Sequence, residues 1–201
     1  MEPLFRQIRE RLEAQPARAL SLPGISLREA AVLAPLFLRG GEVHVLFTQR
    51  PKTLRTHAGQ ISFPGGTRDP GDPTPLHTAL RETEEELGIP RGRVEVLGML
   101  DELPTVTEYR ITPFVGVIPG DFAYRPNPHE IEEVIEVPLA HLLDPAIQRS
   151  EVWQVRGENH DVYFYDFGPH RIWGATARIL KTFLQLVGDL PGLSPGIRSA
   201  G

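Results

Sequence analysis

"HAGQISFPGGTRDPGDPTPLHTALRETEEELGIP", residues 57–90, places four glutamates in five positions directly after a loop crowded with glycine, proline and aspartate. Its second half reads as a well-bounded helix. Thr74 caps the start, Pro75 suits the first turn, and Gly88 followed by Pro90 ends it. Leu76, Leu80, Thr83 and Leu87 follow the spacing of one buried stripe. At about 100° per residue, Glu82, Glu85 and Glu86 then share one side of the helix and Glu84 points away to solvent. Like charges a turn apart cost a few tenths of a kcal/mol per pair, so the arrangement implies that positive charge belongs there.

Three carboxylates at separations of three and four residues form an all-oxygen donor set, which magnesium and manganese prefer. A solvated helix face is the alternative reading. Two neighbouring features favour the metal. Arg81 sits one turn before Glu85 and can orient it, and the glycines of the preceding "FPGG" loop let backbone approach a bound ion or phosphate closely. The chain carries a net charge of -5, which argues against non-specific nucleic-acid binding, so a phosphate-containing ligand needs local neutralisation by arginine or metal. The absence of cysteine rules out disulfides, thiolate zinc sites and a cysteine nucleophile.

Outward from this segment, Leu4, Ile8 and Leu12 mark an amphipathic helix over 1–15, and "REAAVLAPLFLRGGEVHVLFTQR" reads as two strands joined at Gly40-Gly41. Further strands are expected at "VEVLGML", "YRITPFVGVIP", "EVIEVPL" and "DVYFYDF", with helices at "LAHLL" and "ATARILKTFLQLV". Strands interleaved with helices through short links predict an α+β fold, helices on a mixed or antiparallel sheet, in one domain over 1–187. The tail 188–201, "GDLPGLSPGIRSAG" from Gly188, has little to bury and is expected to be disordered or loosely docked. The mixed charges of the N-terminus and the lack of a long apolar run predict no signal peptide, no membrane span and a cytoplasmic address.

Gly66, Asp72 and "RETEEELGI" resemble the signature of the Nudix hydrolases, a family that cleaves nucleoside diphosphates linked to another group. The match from Arg81 to Ile89 is tight. Asp72 stands where glutamate is usual, one residue further from the arginine, and Thr83 replaces an aliphatic residue. The resemblance implies an α/β/α sandwich with a mixed sheet, an N-terminal helix and a C-terminal helix. It also implies Mg²⁺ or Mn²⁺ held by Glu82 and Glu86, with Glu85 as a further ligand, direct or through water, and the carbonyl of Gly65 or Gly66 as a loop ligand. Arg81 orients the carboxylates.

Upstream, "LFTQRPKTLRTHAGQISFPGG" resembles the added motif of the coenzyme A pyrophosphatase branch, with Thr48, Arg50, Arg55, Gly59 and Phe63 to Gly66 in register. Phe47 and Pro51 depart from that motif. The implied reaction is hydrolysis of the diphosphate of coenzyme A or its derivatives to adenosine 3′,5′-bisphosphate and 4′-phosphopantetheine. The alternatives are another nucleoside diphosphate derivative or a non-catalytic nucleotide-binding module. Arg50 and Arg55 are then candidates for substrate phosphates, with His57 and Gly59 in the same loop. "NPHEIEEVIEVPL" resembles the stretch that brings a late glutamate to the metals, which makes Glu130 the candidate general base; an exposed acid leading a strand is the other reading. Trp173 is either core or a stacking surface.

Overall fold

The computed structural model describes residues 2–53, 57–155 and 157–193. Helix α1 spans Pro3–Ala14 and buries Ile8 and Leu12 as the four-residue spacing predicts, with Phe5 buried and Leu4 only half-buried at the start of that stripe. Strands β1 (Arg28–Arg39) and β2 (Glu42–Gln49) form the expected hairpin. Gly40 and Gly41 supply the two positive φ angles, 60° and 85°, that a two-residue turn between twisted strands requires.

Two short strands follow, β3 (Ile61–Ser62) and β4 (Gly65–Thr67), then α2 (Pro75–Leu87). Next come β5 (Glu95–Met99), β6 (Leu103–Pro104) and β7 (Tyr109–Val117), then β8 (Glu133–Pro138) and α3 (Leu139–Leu142). Strands β9 (Gln148–Val155), β10 (Glu158–Phe167) and β11 (His170–Trp173) precede α4 (Gly174–Val187). No helix among the described residues is long and apolar enough to cross a membrane.

Strand β1 organises the fold. It pairs in parallel with β7 from Arg28↔Tyr109 to Leu36↔Val117. On its other side, β4 takes Ala30–Val32 and β2 takes Leu36–Arg39, both antiparallel. Because alternate side chains face opposite ways, Ala34 and Leu36 enter the core shared with α1 and α4. Leu33 packs with Ala79 of α2, and Phe37 with Leu87. Helices therefore lie on both faces of a mixed eight-stranded sheet, and β9–β10–β11 form a second, three-stranded antiparallel sheet.

Two expectations need correction. Only "DVYFYDF" within β10 is predicted in the second sheet; β9 and β11 lack apolar alternation and become strands through pairing with β10. Of the two alternatives for the segment from Gly188, disorder or loose docking, its first residues take docking, and more firmly than expected. Leu190 and Leu193 are buried in the main core, with Leu190 N–H donating to the Val187 carbonyl at 2.9 Å. Two leucines three residues apart suffice to dock this short segment; residues 194–201 lie outside the described part.

Candidate metal centre

The caps of α2 are those its sequence predicts. The Thr74 hydroxyl accepts from His77 N–H, and Gly88 adopts φ 71° while its N–H donates to the Glu84 carbonyl at 2.8 Å. The helix phase differs by a fraction of a turn. Leu80, placed in the buried stripe by the sequence, is only half-buried, and the buried positions are Thr78, Ala79, Thr83, Glu86 and Leu87. Small Ala79 lies against Ala31 and Leu33 of β1, so the helix meets the sheet along that side and turns Glu86 inward.

Glu86 is 4% exposed, and Gly65 N–H donates to its Oε2 at 3.3 Å. Burial, then the neighbouring Glu82 charge, pushes its carboxyl up to about 8 despite the Gly65 bond and the Arg50 charge. Glu82 is also pushed up by burial, partly offset by Arg81. Gly65 lets the loop lie against β1, and Gly66 makes room for the Glu82 carboxylate. A Cβ on Gly65 would fall 2.4 Å from the Ala31 carbonyl oxygen, and one on Gly66 would fall 2.4 Å from Glu82 Oε1.

The third acid arrives from the loop between β7 and β8. Arg125 and Asn127 donate their N–H groups to the Leu87 and Glu86 carbonyls, each at 2.9 Å, satisfying the open end of α2. Asn127 then accepts from the backbone of Glu130, and its amide reaches Glu130 Oε1 at 3.4 Å. Glu130 is thereby set beside the helix. One carboxylate oxygen each of Glu82, Glu86 and Glu130 lies within 4.8 Å of the other two. Three crowded oxygen donors, two of which, Glu82 and Glu86, have their negative charge disfavoured by burial, fit a hard divalent cation that would relieve that cost.

Glu85, expected among the ligands, is not in that cluster. Its side chain is 53% exposed and pairs with Arg81 Nη1 at 3.0 Å. The same nitrogen lies 3.0 Å from Glu82 Oε1, so Arg81 bridges the two. Glu84 lies on the outer side and pairs with Arg91 at 2.8 Å.

Asp72, given no role by the sequence, anchors Arg81. It is 7% exposed and accepts from Arg81 Nη2 at 3.0 Å, from Thr78 Oγ1 at 3.0 Å and from Asp69 N–H at 3.1 Å. The Arg81 bond holds its carboxyl down at about 2, and Asp72 in turn raises the Arg81 guanidinium. The usable signal was the acid itself at a displaced position in the motif; its one-residue offset is absorbed because the loop, not the helix, carries it.

Among the substrate-binding candidates, Arg50 is half-buried. Its Nε is buried without a hydrogen-bond partner among the described residues, and its charge eases the ionisation of Glu86. His57 has φ 56° and a contact from Nδ1 to Gln60 Oε1 at 2.7 Å, while the Gly59 carbonyl accepts from Gln49 Nε2 at 3.2 Å. The first contact is internal to the loop, and the second ties the loop to the end of β2. Arg55 lies outside the described residues. Trp173, whose position beside a helix start favoured core, is 37% exposed.

A family profile for the NUDIX domain matches residues 27–174. The uncharacterized Nudix hydrolase NudL of Photorhabdus laumondii is 43% identical over 160 residues, covering 80% of this chain and 85% of that protein. The protein of the same name from Escherichia coli K12 is 41% identical over 164 residues, covering 82% and 85%. Among solved structures, a NUDIX hydrolase from Alicyclobacillus acidocaldarius shares the fold with a TM-score of 0.51 at 20% identity, covering 82% of this chain and 93% of that one. With the profile spanning most of the sequence and the acidic helix, its glycine loop and the late glutamate meeting at one place, this chain belongs to the NUDIX family and is a Nudix hydrolase.

Proposed function

We propose that this Nudix hydrolase acts in the cytoplasm on the diphosphate of coenzyme A or a derivative, releasing adenosine 3′,5′-bisphosphate and 4′-phosphopantetheine. The observation that supports this reading is Arg50. It belongs to the coenzyme A-type motif, and its charge is felt at Glu86 while its Nε is buried with no hydrogen-bond acceptor among the described residues. Its terminal amino groups, which make no hydrogen bond or ion pair among the described residues, are the donors left for phosphate oxygens. Arg55, His57 and Gly59 complete the proposed substrate loop.

Glu82 and Glu86 would hold the metal beside Glu130, with the Gly66 carbonyl as a further donor and Glu85, paired with Arg81, reaching it only through water. Mg²⁺ or Mn²⁺ bound there supplies positive charge for the diphosphate and acidifies bound water. Glu130 accepts the proton of the attacking water. The water oxygen bonds to one phosphorus as the bridging P–O bond breaks, and the bridging oxygen leaves with the other phosphate. Arg81, held by Asp72, keeps Glu82 and Glu85 from repelling one another out of place.

The test is metal-dependent hydrolysis of coenzyme A, with products identified by mass and with NADH, ADP-ribose and diadenosine polyphosphates assayed beside it. Coenzyme A is expected to give the highest kcat/KM. A better substrate elsewhere in the panel removes the coenzyme A assignment, and no cleavage of any compound leaves a nucleotide-binding module. Gly66→Ala provides a check on geometry. Its Cβ would push the Glu82 carboxylate aside, so turnover is expected to fall on the order of 10²-fold, as for a displacement of about 1 Å. The melting temperature should stay close to that of the parent protein, because the clash is with the end of a side chain. Unaltered turnover would show that Glu82 does not work from its present position.

A further inference from the structure

Strand β9 is an edge. It pairs with β10 over eight residues, from Gln148↔Tyr165 to Val155↔Glu158, and its other side has no strand against it among the described residues. In an antiparallel ladder alternate residues bond to the one neighbour, so half of the N–H and C=O groups of β9 face outward. Exposed edges are commonly protected by proline, charged side chains, a bulge or a covering element; the two charges of β9, Arg149 and Glu151, pair with each other. The sequence QRSEVWQV contains neither proline nor lysine, and its register with β10 runs without a shift. Instead it carries Val152, 64% exposed, and Trp153, 41% exposed, the latter 6.1 Å in ring separation from half-exposed Trp173.

We propose that β9 pairs with β9 of a second copy about a two-fold axis at Ser150, joining the two three-stranded sheets into one of six strands. The register follows from the side chains. Centred on Ser150, an antiparallel pair sets Arg149 opposite Glu151 of the other copy, twice. It also sets Gln148 opposite Val152, and Ile147, which packs on the main core, opposite Trp153. Within one copy Arg149 and Glu151 already form an ion pair on one face, and Trp153 Nε1 donates to Glu151 at 2.7 Å. The two-fold extends this into an alternating cluster of four charges. Moving the axis to Glu151 would oppose the two glutamates. Moving it to Val152 would set Glu151 against Trp153 and Arg149 against Val155. Opposite charges across strands stabilise a pair and like charges weaken it, so the strand is complementary to itself in the Ser150 register.

The absence of native cysteine makes the test direct. Light scattering of the full chain across rising concentration is expected to give twice the chain mass, and Val152→Lys, at a solvent-facing position, is expected to return the single-chain mass with coenzyme A turnover retained. Ser150→Cys should form a reducible covalent dimer on mild oxidation, because residues paired across the axis have Cα atoms about 5.5 Å apart, within disulfide reach. Glu151→Cys and Gln154→Cys should cross-link far less. A parent chain that stays at single-chain mass throughout overturns the proposal. So does a dimer that survives Val152→Lys, or one that cross-links at other positions in preference to Ser150→Cys.

Discussion

Glu86→Gln lowers kcat by on the order of 10²–10³-fold, the loss typical of removing one preorganised electrostatic group from a reaction centre. Glutamine keeps the shape of the side chain and can still accept from Gly65 N–H, but it removes the negative charge at the most buried of the three clustered acids. The same substitution stabilises the protein when metal is chelated. Glu86 ionises near 4.5 in the unfolded chain and at about 8 in the fold. Between those values the folded state holds the extra proton, so the parent protein loses stability as pH rises from about 4.5 to 8. The variant lacks that contribution to the slope. Urea unfolding in chelator at pH 5 and pH 8, beside kcat at saturating metal, measures both effects. Retention of near-parental kcat would remove Glu86 from the metal site. Glu84→Gln, on the outer side of the same helix and paired with Arg91, should leave kcat unchanged; a large loss there would overturn the helix phase.

Asp72→Asn should cost about 2–3 kcal/mol of stability, because a nearly buried arginine loses the charged acceptor that neutralises it. The same change should reduce turnover by roughly 10–100-fold, the usual penalty for removing a group that orients metal-binding side chains. Arg81 touches Asp72, Glu82 and Glu85 together, so loosening one end frees the others. The stability difference depends on pH with a definite sign. Asp72 is held at about 2 in the fold against an ordinary 3.8. Its contribution is fully present above 3.8 and disappears as pH falls through about 2, so parent and variant converge only in strong acid. Equal stability at pH 7, or a gap that widens below pH 4, would show that the Asp72–Arg81 pair is not what holds this loop to α2.

Local sequence was sufficient for much of this site. Thr74, Pro75 and Gly88 each act through the backbone of their own turn, so the bounds of α2 are visible without a tertiary context. The Gly40-Gly41 hairpin is equally local, as is the face of α1. Three- and four-residue spacing was enough to bring Glu82 and Glu86 to one side, and the motif match indicated the family.

What spacing alone did not decide is the fine rotation of α2, because Leu76, Leu80 and Thr83 define a stripe only to within a fraction of a turn. Contact of Ala79 with β1 decides it, burying Glu86 and leaving Glu85 at the surface with Arg81. The partnership of Asp72 with Arg81 depends on how a loop folds back over the helix. Strand β9 has no periodicity of its own and exists through its ladder with β10. The sequence by itself determined which groups carry charge and where the chain turns. Only the tertiary structure decided which carboxylates share a site, because burial and distance set that interaction and both depend on contacts between residues far apart along the chain.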